Sequence, residues 1–200
     1  MGSLTSIQKE ILVGSLLGDG ALRRQGTRTN ALLEINHSFQ YRKYVDWKWS
    51  HFKEFVKTPP KSRHGNGNRI AYRFTTQSLP LFTEYYLKYY SSGKKAISAD
   101  LILTNLVLSV WFMDDGSKSR NTYYLNTQQF DLASQKTLMN ILDRDLGIKS
   151  SLNRDKQYFR IRIRTESAKL FRNIVASHLL LCFRYKIDYD PVTTDSKEEI

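Results

Sequence analysis

Two carboxylates hold matching places in this chain. Asp19 lies at the end of the apolar run Leu12-Val-Gly-Ser-Leu-Leu-Gly-Asp-Gly20, and Asp115 at the end of Leu108-Ser-Val-Trp-Phe-Met-Asp-Asp-Gly116, 96 positions later. Each run reads as a helix that stops at Asp-Gly. A helix C-terminus carries partial negative charge, so an Asp there costs about 0.3–1 kcal/mol. A single copy would be an ordinary turn. The same misplaced charge at two related helix ends asks for another reason. If the two helices pack together, Asp19 and Asp115 meet, and like charges held that close call for a cation between them. Hard oxygen ligands suit Mg²⁺, which keeps waters and accepts phosphate oxygens. Such an ion activates water and stabilises a leaving oxygen, so metal-assisted phosphodiester hydrolysis is the chemistry expected.

The elements that must bring these residues together are written twice. Downstream of each carboxylate lies an alternating run, Arg69-Ile-Ala-Tyr-Arg-Phe-Thr-Thr-Gln-Ser78 and Tyr158-Phe-Arg-Ile-Arg-Ile-Arg-Thr-Glu-Ser167. At an offset of 89, Arg73 matches Arg162, Thr76 matches Thr165, Ser78 matches Ser167 and Phe82 matches Phe171. Repetition at a constant offset marks duplication. Thr5 with Gln8 forms a capping box for the first helix, and Leu101–Asp114 is long and apolar enough to be its counterpart. Strands are expected near Ala31–Ser38 and Thr122–Gln128. Helices follow over Tyr41–Val56 and over Leu132–Leu146, the latter closed by Gly147. The alternating runs supply second hairpins, and Ser78 and Ser167 are expected to cap the last helices. The fold class is therefore α+β, two αββαββα repeats forming a saddle of antiparallel sheets with the motif helices packed at the interface. The repeats are assigned to residues 1–93 and 101–190, with a linker at 94–100 and a polar tail at 191–200. Gly14 and Gly18 share one side of the first helix, so they admit close approach by the second. Their counterparts Val110 and Asp114 are larger, which makes the pair asymmetric.

Charge points to the partner. The chain carries 31 Lys and Arg against 19 Asp and Glu, a net +12. Residues 1–100 hold 16 of the basic side chains against 7 acidic ones, and residues 101–200 hold 15 against 12. The charge thus belongs to folded structure rather than to a basic tail, and a polyanion is its natural complement. Successive strand residues face opposite sides. Ile70, Tyr72 and Phe74 share a core face, as do Phe159, Ile161 and Ile163. Arg69, Ala71, Arg73 and Thr75, and likewise Arg160, Arg162 and Arg164, share the other. A row of Arg repels itself unless an anion lies across it, so these faces are assigned to nucleic acid. The expected contact set is Arg23, Arg24, Arg28, Asn36, Arg69, Arg73 and Thr75 in the first half, and Lys118, Arg120, Asn126, Gln128, Arg160, Arg162 and Arg164 in the second.

Both nonapeptides resemble the LAGLIDADG motif. Trp111-Phe-Met-Asp-Asp-Gly116 followed by Leu125-Asn-Thr-Gln-Gln-Phe130 is similar to the monomeric, two-motif branch of the LAGLIDADG homing endonucleases. The resemblance spans Ser6 to Ile187. It implies that Asp19 and Asp115 hold the metal, aided by main-chain oxygens near Gly18 and Asp114. It also implies basic residues that orient water and phosphate. Lys186, in Arg184-Tyr-Lys186, fits that role, and Lys95 or its neighbour Lys94 holds the matching place after the first half. Mg²⁺ is the expected ion, Mn²⁺ should substitute, and Ca²⁺ should support binding with little cleavage. The expected partner is a long asymmetric double-stranded DNA target cut to short 3′ overhangs by a monomer.

Rival readings share the scaffold. An RNA maturase would bind its host intron RNA and need no paired carboxylates; a non-cleaving DNA-binding regulator would tolerate loss of either. An intein endonuclease is disfavoured because there is no room for a splicing domain. The lone Cys182, in the apolar run Leu179–Phe183, excludes an intrachain disulfide framework and is expected to pack. No run is long and apolar enough to cross a membrane, and no signal peptide is evident. The expected location is intracellular, alongside the target DNA in an organelle or a prokaryotic cytoplasm.

Overall fold

The computed structural model describes residues 3–24, 26, 29–65 and 67–187. The first half runs α1 (Ser6–Leu17), β1 (Ala21–Arg24), β2 (Ala31–Ser38), α2 (Arg42–Phe52), β3 (Lys61–His64), β4 (Ile70–Thr75) and α3 (Pro80–Tyr89). A small hairpin of β5 (Tyr90–Ser91) and β6 (Lys94–Lys95) follows. The second half runs α4 (Asn105–Asp115), β7 (Gly116–Lys118), β8 (Tyr123–Leu125), α5 (Leu132–Leu146), β9 (Ser150–Asp155), β10 (Tyr158–Ile163) and α6 (Thr165–Ala176), and a 3-10 turn covers Leu181–Lys186. The sheet orders β1-β2-β4-β3 and β7-β8-β10-β9 are the same antiparallel order written twice, as the repeat requires.

Local chemistry sets the boundaries. The Thr5 side chain accepts from the Gln8 amide and Gln8 returns a bond to the Thr5 amide, so α1 opens on the expected capping box. Gly147, at φ 65°, closes α5. Four expectations change. The helix α4 begins only at Asn105, because Thr104 caps it by accepting from the Val107 amide. The preceding Leu101 and Leu103 are buried in extended chain, held by Arg144 on the Leu101 carbonyl and Asp145 on the Leu103 amide. The α2 helix ends at Phe52, with 3-10 turns at Phe39–Tyr41 and Lys53–Phe55 on either side. The strand expected over Thr122–Gln128 pairs only through Tyr123–Leu125, since the Thr127 hydroxyl then replaces the backbone as acceptor for the Ile161 amide. Finally, Leu79 and Arg164, not the two serines, are the N-caps of α3 and α6. Pro80 presets the first turn of α3, and the Ser167 hydroxyl is taken by the Lys149 amide.

The register refines the duplication. Ala21 pairs with Glu34 and Glu34 with Thr75, whereas Ser117 pairs with Tyr124 and Tyr124 with Arg162. Aligned on the motif, Thr75 is thus equivalent to Arg162, and Arg73 to Arg160. The sequence match of Arg73 with Arg162 is out by two residues. A two-residue slip keeps every side chain on its face, so the assignment of faces stands. Ile161, Ile163 and Phe74 are buried under the helices, whereas Ile70 and Phe159, near the starts of their strands, are exposed and not part of the core. Arg164 lies past the end of β10, so two arginines, not three, stand in register on that strand.

The two motif helices touch along their backbones. A Cβ on Gly14 would stand 2.6 Å from Val110 Cβ and 2.8 Å from the Val107 carbonyl, and one on Gly18 would stand 2.3 Å from Asp114 Cβ. These are the partners the spacing named. Gly14→Ala is therefore expected to lower stability by roughly 1–3 kcal/mol through overpacking, despite Ala's better helix propensity. Denaturant unfolding checks this; an unchanged midpoint would contradict the close contact.

Candidate active site

Gly18 terminates α1, so Asp19 sits just beyond the helix, while Asp115 is the last residue of α4. The pair share one electrostatic environment. Burial, then the Asp114 charge, raises the Asp19 carboxyl above its ordinary value, against the pull of Lys48, Lys95 and Lys186. Burial, then the charges of Asp19 and Asp114, pushes Asp115 up to about 7, against Lys95 and Lys186. Carboxylates crowded so that burial and neighbouring negative charge raise their proton affinity form a site that favours a cation. The Asp19 side chain keeps 47% of its surface open, so a ligand can reach it.

The two lysines arrive from the segments that follow the last helix of each half, α3 and α6. Lys95, on β6, donates to the Gly18 carbonyl at 2.5 Å. Lys186, on the final 3-10 turn, donates to the carbonyls of Met113 at 2.8 Å and Phe112 at 3.2 Å. Lys94 is exposed, so Lys95 is the lysine brought to the site. Burial lowers both ammonium groups against the attraction of the three carboxylates, Lys95 to about 8. A lysine there sheds a proton more readily than one in water, which suits proton exchange with water or a leaving oxygen.

Asp114 differs in kind. Its side chain is fully buried and accepts from Lys48 Nζ at 2.8 and 3.0 Å, from the Tyr44 hydroxyl at 2.7 Å and from the Asp19 amide at 3.3 Å. Burial alone would raise this carboxyl; Lys48 and the hydrogen bonds from Lys48 and Tyr44 outweigh burial and hold it below its ordinary value. The side chain is thus committed to the protein, and only Asp114's main chain is available to a metal. His37 stands between Asp19 and Asp114, with Nδ1 3.5 Å from Asp19 and Nε2 3.5 Å from Asp114. Burial and the nearby lysines lower it to about 4, so it is neutral at neutral pH. Gln129 Nε2 bridges the halves, donating to the carbonyls of Leu17 and Gly18 and to Asp115.

The donors available to a metal are the carboxylates of Asp19 and Asp115; the Gly18 carbonyl, expected to aid them, already accepts from Lys95 and Gln129. Among the described residues no three His, Cys, Asp or Glu side chains gather into a closed cage. Such a sparse, hard-oxygen set fits an ion that completes its shell with water and substrate phosphate, as Mg²⁺ does.

The helix-free sheet faces carry most of the expected contact residues. An open groove of about 1110 Å³ is lined by Asp19, Arg23, Glu34, Asn36, Arg69 and Lys186. Arg23 is ion-paired with Glu34 at 2.9 Å. Asn36 pairs with Arg73, and Thr75 with Glu34, on the same face. In the second half, Arg160 lies 3.8 Å over the Tyr124 ring and reaches Asn126, and Arg162 pairs with Tyr124. Arg120 is exposed in the β7–β8 turn, and Arg164 at the start of α6. Three residues stand apart. Arg24 lies over Tyr86 of α3, on the side of Leu22 rather than Arg23. Lys118 pairs with the buried Tyr123, on the helix side of the sheet. Gln128 is tied to Asp155 at 2.8 Å, and its neighbour Gln129 is the one at the carboxylates. Arg28 lies outside the described residues.

Sequence reasoning missed Lys48, Tyr44, His37 and Gln129. A signal existed for the first two: Lys48 sits in the apolar stripe of α2 with Tyr44, Val45 and Phe52, and a lysine in a core stripe demands a buried partner.

A duplicated pair of sheets, with paired carboxylates where two motif helices meet beneath a basic groove, is the architecture of the two-motif homing endonucleases. Comparison with known proteins agrees. The LAGLIDADG DNA endonuclease family matches residues 9–171. A probable intron-encoded endonuclease of Wickerhamomyces canadensis is 27% identical over 199 residues, covering 92% of this chain and 85% of the relative. A cytochrome b mRNA maturase of Debaryomyces hansenii is 27% identical over 190 residues, covering 89% and 72%. The homing endonuclease I-WcaI bound to its DNA recognition sequence superposes with a TM-score of 0.87 at 26% identity, covering 95% of this chain and 89% of that one. This chain belongs to the LAGLIDADG DNA endonuclease family.

Proposed function

We propose that the protein is a monomeric, site-specific endonuclease that cuts both strands of a long asymmetric DNA target with Mg²⁺, leaving short 3′ overhangs. The observation that carries this reading is the meeting of the two motif ends, where Gln129 spans the Gly18 carbonyl and the Asp115 carboxylate and the Asp19 charge raises Asp115's affinity for positive charge. When bound there, Mg²⁺ supplies Lewis-acid stabilisation of phosphate charge. The chain's own part is positional. Asp19 and Asp115 fix the cation, Lys95 and Lys186 place ammonium groups beside the same motif ends, and Gln129 holds the two ends together. The sheets grip the duplex on either side. Each half covers roughly one helical turn, about 10 bp, and its contact residues differ from those of the other half, so the target is not a palindrome. Mn²⁺ should replace Mg²⁺, and Ca²⁺ should support binding with little cleavage. The repeats are taken as residues 1–93 and 101–190, and the protein acts inside the cell where its target DNA lies. Selection of cleaved sites from a randomised duplex library in Mg²⁺ tests the reading. One asymmetric site is expected; a palindrome bound by a stable homodimer would overturn it.

The grip itself has a signature. Log K should fall with log salt at about −0.9 per phosphate neutralised. Arg162→Ala should weaken binding and flatten that slope, whereas Lys136→Ala, exposed on α5 away from this face, should change neither. Equal effects in a gel-shift titration would move the DNA elsewhere. A second reading, binding of intron RNA as a maturase, is favoured by the likeness to the cytochrome b mRNA maturase.

A further inference from the structure

The two centres are not built alike. Gly18 and Asp114 are equivalent residues, each preceding its motif's terminal Asp. Asp115 lies within α4, so its amide is held by the helix; Asp19 lies beyond α1, where no helical bond fixes it. The peptide joining Gly18 to Asp19 is instead pinned from outside on both edges. Its carbonyl accepts from Lys95 and Gln129. Its N–H donates to Asp114, which reaches across from α4 and is held by Lys48 and Tyr44. Nothing equivalent passes the other way, since Gly18 has no side chain and a Cβ there would collide with Asp114. Lys48 and the Asp114 carboxylate are both fully shielded from solvent, so this brace holds one geometry.

We propose that Lys48 and the Asp114 carboxylate are positioning residues for Asp19 and not for Asp115, so that the rates at which the two DNA strands are cut can be separated by altering this pair. The proposal rests on the endonuclease reading. Lys48 touches neither DNA nor metal in it; it acts by holding Asp114, which holds the Asp19 peptide. Misplacing a catalytic group by about 1 Å can cost roughly a hundredfold in rate, and the loss should fall on one centre first.

The test is strand-resolved cleavage of a duplex carrying the selected target, labelled at both ends, in Mg²⁺. Lys48→Met leaves Asp114 unpaired and destabilises the fold, so Lys48→Met with Asp114→Asn, which removes both charges of the pair, is assayed beside it. The expected result is a change of roughly tenfold or more in the ratio of the two strand rates, with nicked duplex accumulating before the double-strand product. A general loosening of the protein slows both strands together and leaves that ratio fixed. An unchanged ratio in the folded double variant, with the wild type cutting both strands, overturns the brace and leaves the endonuclease reading intact. A wild type that cuts neither strand overturns both.

Discussion

Asp19→Asn and Asp115→Asn are each expected to abolish double-strand cleavage while leaving DNA binding in place. The amide is nearly isosteric with the carboxylate but carries no charge to hold a divalent cation. Losing several kcal/mol of metal stabilisation corresponds to roughly a thousandfold or more in rate. Affinity rests on the sheets and should survive. It should even tighten, because each change removes a negative charge from a surface that faces phosphate. Cleavage of a plasmid bearing the target, run beside a gel-shift assay, reads both quantities. If either variant cuts both strands at the wild-type rate, the metal assignment is wrong. The close approach of the motif helices, visible in the Gly14 and Gly18 contacts, is what brings the ends that carry Asp19 and Asp115 together.

The second large effect concerns stability. Lys48→Met is expected to cost about 3–5 kcal/mol, because it strands a buried carboxylate without its cation. Restoring neutrality with Asp114→Asn should recover most of that loss, since Met and Asn bring no uncompensated charge. The pH dependence carries the sign. In the wild type, the Asp114 carboxyl is held below its ordinary value. Its contribution is therefore present above the unfolded value of about 3.9 and is lost as pH falls through the lower folded value. In Lys48→Met, the largest influence opposing burial is gone, only weaker ones such as the Tyr44 hydrogen bond remain, and the folded carboxyl rises instead. The variant should then gain stability relative to the wild type as pH falls from neutrality toward the ordinary carboxylate range, as Asp114 takes up a proton. Urea unfolding in metal-free buffer across that range distinguishes the two. A parallel pH profile for both proteins would show that Lys48 does not hold the Asp114 charge.

Much of this architecture is written in residue types and spacing. The two Asp-Gly ends, the offset repeat and the alternating Arg strands give the element order, the sheet faces and the carboxylate pair. The helix contact is legible because Gly14 and Gly18 are costly in a helix unless something must approach. Other features depend on information the local sequence does not carry. Register is one: Arg73 and Arg162 look equivalent by type, yet the hydrogen-bond ladder sets Arg160 opposite that role, because pairing is fixed by β1 and β2 rather than by the strand itself. Capping is another. Ser78 and Ser167 are good N-cap types, but Ser167's hydroxyl is claimed by the Lys149 amide from a distant turn. The brace at Asp19 is the third. Asp114 reads in sequence as one letter of a motif, and only the crossing of α1 over α4 puts it beneath the other motif and against Lys48 of α2.

The central claim is that the paired carboxylates cut DNA through a divalent metal. The most direct measurement follows the wild-type protein on its selected target in three buffers, with Mg²⁺, with Ca²⁺ and with EDTA, scoring bound and cleaved DNA in the same samples. The expected result is binding in all three, both strands cut with short 3′ overhangs in Mg²⁺, and little cleavage in the other two. Cleavage that persists undiminished in EDTA would contradict the metal. Absence of cleavage in Mg²⁺, together with high-specificity binding of intron RNA, would contradict the nuclease and leave the maturase reading in its place.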